Sequence, residues 1–312
     1  MRICSLVPGA TEVVAALGRA GQLVGISHEC DYPPDVRDTP VMVEALVGGH
    51  GQSSGEVDAA VKALLASGQR LYRLNEEAFV ESQPDLILTQ DLCHVCAVTP
   101  DQLRQAIRSL PVRPQLVTLN PTRLGDLLSD VERIGTSIGA DDEGRAFAST
   151  LRERLELIRR RAAETPVRPR VLCLEWLSPL YVGGHWVPEM VELAGGNDVL
   201  GQAGRQSRVV SWAEVTAAAP EIVILMPCGF PIARTIREVS ELAKIDTAWA
   251  HALSTWKRIY VVDAASYFSR PGPRLVDGVE LLADIISPSA PTRFDDRTVM
   301  PVTRQSLGVN QS

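Results

Sequence analysis

Short apolar runs alternate along this chain with segments in which apolar residues recur at helical spacing. Five runs in the first half have the character of strands: Ile3–Val7, Leu23–Ser27, Leu71–Leu74, Asp85–Thr89 and Gln115–Leu119. The spacing between them predicts helices over Thr11–Leu17, Glu56–Ala66 and Pro100–Ser109. Such alternation is typical of βαβ units and of a mostly parallel sheet. The chain is therefore predicted to belong to the α/β class.

The middle of the chain interrupts this alternation. From about Arg123 to Glu164 there is no strand pattern, only two helical segments broken near Gly139. The second, Asp141–Ala163, is long and charged, and we expect Pro166 to end it because proline cannot continue a helix. The alternation then resumes through Val171–Trp176, Pro188–Leu193, Trp212–Ala218, Glu221–Met226, Ile232–Ala243, Arg258–Asp263 and Arg274–Ile286.

This pattern predicts two α/β lobes joined by helix. We place the N-terminal lobe at residues 1–122, the linking helices at 123–166, the C-terminal lobe at 167–287 and a poorly ordered tail at 288–312. A length of 312 residues with 45% hydrophobic composition is sufficient for two cores.

Charge and hydropathy narrow the classes of function. The net charge of −7 argues against a broad nucleic-acid surface, which needs clustered Lys and Arg. The longest apolar runs fall far short of the roughly 20 residues that span a bilayer, so no membrane insertion is expected. The N-terminus enters a strand pattern at once, which leaves no room for a signal peptide. We therefore expect a cytoplasmic location for the sequence as written, and a periplasmic one if a leader is missing from it.

Ligands of open parallel sheets bind outside the carboxyl ends of the strands, so binding or catalytic residues are expected in the segments that follow strands. Pro8, Gly9 and Ala10 form a turn after the first strand, where Thr11 is suited to cap a helix. Four of the six cysteines also fall in such loops, at Cys30, Cys93, Cys96 and Cys228. A C-x-x-C spacing serves zinc, iron–sulfur and disulfide-exchange sites alike. A thiolate metal site and scattered unreactive thiols both remain open.

The aromatic residues suggest a different ligand. Aromatics make up only 5% of the chain, yet six lie beside predicted strand ends: Trp176, Tyr181, Trp186, Phe230, Tyr267 and Phe268. They are suited to line a site for a large, flat, mostly apolar ligand, or to pack between the lobes. Arg270 and Arg274 flank a Pro-Gly-Pro turn, where a guanidinium would reach a polar group of the ligand. No nucleophile elbow, metalloprotease motif or phosphate loop is present, so a binding protein is predicted rather than an enzyme.

Several segments resemble the cobalamin-binding proteins of ATP-driven importers. They include Ser5–Glu12 with Leu17-Gly18, Val24–Ser27, Asp31–Pro34 and Pro84–Leu88 in the first half. In the second half they include Leu193–Asp198, Trp212–Glu214, Ala219–Ile224 and Arg270–Arg274. The similarity extends from about residue 2 to residue 287, and the wider family also includes siderophore and haem binders.

The resemblance implies a class III substrate-binding protein: two Rossmann-like lobes with mostly parallel sheets, joined by one long backbone helix that would be Asp141–Ala163. The ligand would be cobalamin or another corrinoid, a small-molecule metal chelate, bound for corrinoid uptake, salvage or carriage, and an ABC permease would be the partner in uptake. Its site would comprise Pro8, Gly9, Ala10, Tyr32, Trp176, Tyr181, His185, Trp186, Phe230, Tyr267, Phe268 and Arg270, and His185, His28 or His94 would ligate cobalt. Two alternatives are a redox protein or enzyme of the same fold, with zinc or an iron–sulfur cluster held by Cys30, Cys93, Cys96 and Cys228, and a siderophore or haem binder.

Overall fold

A computed structural model describes residues 1–47, 51–90, 100–165, 167–287 and 294–303, which form two β-sheets flanked by helices. The first sheet has the order β4-β3-β2-β1-β5-β6 and is parallel except for its edge pair β3–β4. Its strands are β1 (Ile3–Ser5), β2 (Leu23–Ser27), β3 (Val41–Ala45), β4 (Tyr72–Leu74), β5 (Leu86–Gln90) and β6 (Gln115–Leu119).

The second sheet has the order β10-β8-β7-β11-β12-β13, with β9 paired beside β7. Its strands are β7 (Arg170–Leu177), β8 (Leu180–Val182), β9 (Asn197–Asp198), β10 (Arg208–Val209), β11 (Ile222–Leu225), β12 (Ile259–Val262) and β13 (Val299–Pro301). The central strands β7, β11 and β12 run parallel, while β8, β10 and β13 add antiparallel pairs toward the edges. Strand β11 is buried throughout and wholly apolar, as expected for a parallel strand covered on both faces.

Helices connect the strands and join the two lobes. They are α1 (Pro8–Ala16), α2 (Ser54–Ala66), α3 (Glu76–Ser82), α4 (Pro100–Arg108), α5 (Leu124–Ser137), α6 (Asp141–Ala163), α7 (Val187–Leu193), α8 (Trp212–Ala218), α9 (Ile232–Ile245), α10 (Thr247–Thr255), α11 (Ala264–Tyr267) and α12 (Arg274–Ile286). Short 3₁₀ turns lie at Ala20–Gln22 and Pro34–Asp38. Helix α6 has the predicted bounds, and the predicted fold of two α/β lobes with mostly parallel sheets is confirmed.

The two linking helices pack closely on each other and on the second lobe. Gly135 of α5 faces Gly144 of α6, and a Cβ added at Gly135 would lie 3.0 Å from the Gly144 Cα. Arg154 of α6 binds Asp277 and Glu280 of α12 through its guanidinium. Helix α6 is therefore fixed to the C-terminal lobe by ion pairs.

Several elements differ from the sequence prediction. Strands β3, β8, β9, β10 and β13 were not predicted, because each is short or only partly apolar. Residues 294–303 were placed in a poorly ordered tail, yet Val299–Pro301 pairs with β12 and Phe294 packs edge-on against Tyr267. Thr11 does not cap α1: the helix begins earlier, at Pro8, and the Thr11 hydroxyl donates within the buried interior to Ser5 Oγ at 2.8 Å.

The lobes touch directly where α1 meets the turn before α12. A Cβ built on Gly9 would lie 1.8 Å from the Pro271 carbonyl oxygen and 2.9 Å from the Gly272 Cα. Backbone therefore packs on backbone across the lobe boundary, and glycine is required at position 9 for this approach.

We expect Gly9→Ala to destabilise the protein by about 1–3 kcal/mol, because the new methyl group forces the lobes apart. Gly21→Ala is the matched control, since a Cβ at Gly21 would meet no atom within 4 Å. Thermal unfolding of both variants measures the difference. Equal melting temperatures for the two variants would show that the lobes do not touch at Gly9 in solution.

Candidate ligand-binding site

The candidate site lies where the carboxyl ends of the two sheets face each other. From the N-terminal lobe it receives the start of α1 after β1 and the Asp31-Tyr32-Pro33 segment after β2, in which the Tyr32–Pro33 bond is cis. From the C-terminal lobe it receives the turn from Arg270 to Arg274. We call this meeting place the lobe junction.

Two arginines of the C-terminal lobe bind three carboxylates of the N-terminal lobe at the junction. Arg270 donates from Nη2 to Glu29 Oε2 at 2.9 Å and from Nη1 to Asp31 Oδ1. Arg274 donates from Nη2 and Nε to Glu12 Oε1, at 2.7 and 3.1 Å. Charge-assisted hydrogen bonds of this kind are stronger than neutral ones. They fix the turn of one lobe to the strand ends of the other.

Glu12 is the most enclosed member of this group. Its side chain is only 4% exposed, and its Oε2 accepts no hydrogen bond from the described residues. Burial raises the pKa of Glu12, while the hydrogen bond and the charge of Arg274 oppose that rise. The carboxylate therefore depends on Arg274 to stay ionised.

Tyr32 presents an aromatic ring at the edge of the junction. The residue is 47% exposed, which is high for a large aromatic side chain. The Arg274 guanidinium carbon lies over the ring, 4.4 Å from its centroid, in cation–π geometry. The ring is thus held by the opposite lobe while much of its surface stays accessible.

A second contact between the lobes lies at the start of α2. Trp176 Nε1 donates to the Ser54 carbonyl oxygen at 3.2 Å, and the Ser54 amide donates to Glu238 Oε1 at 2.7 Å. Arg234 donates from Nη2 to the Gln52 carbonyl oxygen at 2.9 Å. We call these interactions the α2 contact. A carboxylate at the first amides of a helix is favourable because those amides lack partners within the helix.

The predicted aromatic residues divide between the site and the interior. Trp176 and Phe230 pack edge to face with centroids 5.3 Å apart, and Arg234 covers the Phe230 ring at 3.6 Å. Tyr181 lies directly across β7–β8 from Trp176. Trp176 belongs to the α2 contact itself, and Phe230 and Tyr181 therefore lie beside that contact.

The other predicted aromatic residues lie elsewhere. Trp186 and Phe268 are 5% and 3% exposed and belong to the large apolar core, where Trp186 Nε1 donates to the Phe268 carbonyl oxygen at 2.8 Å. Tyr267 packs against Phe294, beside an open groove that also contains Asp263 and Asp277. In this structure these residues pack within the C-terminal lobe.

The remaining predicted site residues have mixed positions. Pro8, Gly9 and Ala10 form the first turn of α1 at the junction, as part of a helix rather than a loop. His185 adopts a left-handed φ of 50°, and its carbonyl oxygen accepts from the Gly204 amide. Burial lowers the pKa of His185, which favours the neutral imidazole.

The cysteines that the structure describes form no assembled metal site. Cys30 is buried, shares a hydrogen bond of 3.1 Å with Thr11 Oγ1, and has its pKa raised by burial to about 11. A thiol with such a pKa is a poor metal ligand, because the thiolate is the ligating form. Cys228 is exposed after β11, and Cys93 and Cys96 lie outside the described residues. Within the described ranges, no three His, Cys, Asp or Glu side chains are grouped so as to hold a metal ion.

The comparisons with known proteins identify the family. Residues 3–259 match the periplasmic binding protein family. The chain belongs to this family. It is therefore a substrate-binding protein of the ABC-transporter type, which confirms the predictions of a binding protein rather than an enzyme and of the substrate-binding fold. No described helix has both the length and the apolar character needed to cross a membrane.

Relatives of this chain include a protein named for vitamin B12 and a substrate-binding lipoprotein whose name gives no ligand. A vitamin B12-binding protein of Vibrio cholerae is 23% identical over 89% of this chain and 86% of its own length. An ABC transporter substrate-binding lipoprotein of Bacillus subtilis is 23% identical over 92% and 80% of the two chains.

Solved structures of heme-binding and vitamin B12-binding proteins share the fold of this chain. A periplasmic heme-binding protein of Roseiflexus sp. RS-1 has a TM-score of 0.67 at 22% identity, covering 91% of this chain and 97% of its own. The periplasmic vitamin B12-binding protein of Vibrio cholerae has a TM-score of 0.63 at 21% identity, covering 91% and 96%. At these identities the likeness establishes the fold alone.

Arg274→Met should destabilise the protein by roughly 3–5 kcal/mol, because it leaves the buried Glu12 carboxylate unpaired. Without Arg274 the folded-state pKa of Glu12 rises further above its unfolded value. Stability is then retained at low pH and lost as the pH rises through the folded pKa. The loss in free energy of unfolding relative to the wild-type protein should therefore grow between about pH 5 and about pH 8, as measured by denaturant unfolding.

The double variant Glu12→Gln/Arg274→Met should recover much of the loss at the higher pH, since no buried charge remains. Arg297→Met is the control, because the side chain of Arg297 is 91% exposed in its pair with Asp295. If the loss in free energy of unfolding caused by Arg274→Met does not depend on pH, the assigned role of Glu12 is contradicted.

Proposed function

We propose that this protein binds cobalamin or a related corrinoid between its lobes, in the region bounded by the lobe junction and the α2 contact. The observation that carries the proposal is the exposed Tyr32 ring, positioned by Arg274 of the opposite lobe. Both residues belong to the segments by which the sequence resembles cobalamin-binding proteins. Relatives named as vitamin B12-binding proteins, aligned over most of the chain, support the same ligand.

The side chains suit a flat macrocycle with an apolar face. Tyr32 offers ring surface on the N-terminal lobe, and the half-buried Trp176, which packs against the buried Phe230 ring, offers a second aromatic group on the C-terminal lobe. Aromatic rings contribute large contact areas to such ligands and favour stacked or edge-to-face geometry. The macrocycle would lie between the two groups.

The described residues at the lobe junction enclose little space for a ligand. The cavity beside the junction, lined by Val7, Gly9 and Pro271 among others, has a volume of only about 10 Å³. Typical ligand pockets have volumes of roughly 300–1,000 Å³. We propose that the α2 contact opens, because it consists of a few hydrogen bonds, whereas the junction combines ion pairs with direct backbone packing.

The proposed role includes delivery of the ligand to an ABC permease, the partner that the family implies. The family takes its name from the periplasm, and a periplasmic location is the expectation if a leader precedes the given sequence. Location stays a prediction.

The decisive test is titration of the purified protein with cyanocobalamin, cobinamide, haem and a ferric siderophore, followed by tryptophan fluorescence and calorimetry. We expect one-to-one corrinoid binding with micromolar affinity or better, and a change in Trp176 emission that Trp176→Phe abolishes. If the protein binds haem or the siderophore but neither corrinoid, the corrinoid proposal is wrong and the ligand that binds takes its place.

Tyr32→Ala should weaken corrinoid binding by about tenfold to a hundredfold, because removal of an aromatic contact costs roughly 1–3 kcal/mol. Leu157→Ala is the control, since Leu157 is 60% exposed on the linking helix α6. Unchanged affinity in Tyr32→Ala, with folding intact, would exclude Tyr32 from the site.

A further inference from the structure

The charge at the lobe junction limits which chelates the site accepts. Arg270 and Arg274 are the two cations there, and their side chains are 10% and 13% exposed. A partly buried guanidinium without a partner would attract a carboxylate of a ligand, because Arg matches carboxylate geometry in a bidentate manner. The partners of these two arginines therefore decide whether the junction attracts anions.

Both arginines are already paired within the protein. Arg270 binds Glu29 and Asp31, and Arg274 binds Glu12 while its Nη2 also lies 3.7 Å from Asp31 Oδ1. Three carboxylates thus face two guanidiniums. When these five groups are ionised and the neighbouring His28, whose Nε2 lies 3.5 Å from Glu29 Oε1, is neutral, the junction has one excess negative charge.

The arrangement also leaves acceptor capacity unused. Glu12 Oε2 is buried, accepts no hydrogen bond from the described residues, and faces the Gly272 turn, where a Cβ on Gly272 would lie 3.2 Å away. The side chains of Glu29 and Asp31 are 49% and 43% exposed, so both carboxylates remain accessible at the junction, although Glu29 Oε1 also lies 3.5 Å from His28 Nε2. Carboxylate oxygens accept hydrogen bonds from amide N–H groups and repel other carboxylates.

We propose that Glu29 and Asp31 are specificity-determining residues, which select chelates with uncharged amide side chains and exclude chelates with carboxylate side chains. This inference rests on the proposed function and names its substrate class. A carboxylate-bearing ligand must either break an existing ion pair or lie beside the excess negative charge. Discrimination then comes from repulsion of the wrong ligand as well as from attraction of the right one.

Two ligands with the same macrocycle test the proposal. Dicyanocobinamide carries amide side chains, whereas dicyanocobyrinic acid carries carboxylates on the same corrin ring. We expect the wild-type protein to bind the amide form at least about tenfold more tightly, with a preference that shrinks as salt is raised. Calorimetry at two ionic strengths measures both quantities.

Neutralising the two carboxylates should remove the preference for the amide form. Glu29→Gln, Asp31→Asn and the double variant keep the side-chain shape, and we expect the double variant to lose about tenfold or more of the preference through tighter binding of the carboxylate form. Retained binding of dicyanocobinamide shows that each variant is folded. Glu156→Gln is the control, because it removes one negative charge from an exposed ion pair on α6.

The outcomes separate the two proposals. If the wild-type protein binds both corrinoids equally, or if the double variant keeps the wild-type preference, the specificity inference is overturned while corrinoid binding stands. If the wild-type protein binds neither corrinoid, the proposed function fails and the inference fails with it.

Discussion

The backbone contact between Gly9 and the Pro271-Gly272 turn is the constraint on which the arrangement of the two lobes depends. Two segments of main chain can approach this closely only where a side chain is missing on each side of the contact. Once they do, the first turn of α1 and the turn before α12 lie together. The charged residues that follow these segments are then brought within hydrogen-bonding distance of each other.

The ion pairs at the junction follow from that approach. Arg274 reaches Glu12 because both residues lie close along the chain to a glycine of the contact. Glu12 lies three residues after Gly9, and Arg274 lies two residues after Gly272. Burial raises the pKa of Glu12, so the pair is needed to keep the carboxylate charged and the lobes together. The α2 contact lacks this combination, and it is the part of the lobe boundary with fewer interactions to break.

The hydrophobic pattern predicted the fold class and the linking helix, because strands such as β11 are buried on both faces and read as continuous apolar runs. It missed β3, whose burial alternates irregularly, and β13, whose residues are only half-buried. Tyr32 and Arg270 were placed at the lobe boundary through the resemblance. Ser54 and Glu238 were missed, because a capping pattern at Ser53 marks the start of a helix but not which lobe covers it.

Side chains at the lobe boundary, and not the fold, must distinguish the ligands of this family. A heme-binding protein and a vitamin B12-binding protein share this fold, so proteins named for different ligands are built on the same framework. The shared fold does not determine whether arginines at the lobe boundary face the ligand or are neutralised by carboxylates of the opposite lobe. In this chain Arg270 and Arg274 are both neutralised, and a ligand without carboxylates is the one that such a boundary admits at the smallest electrostatic cost.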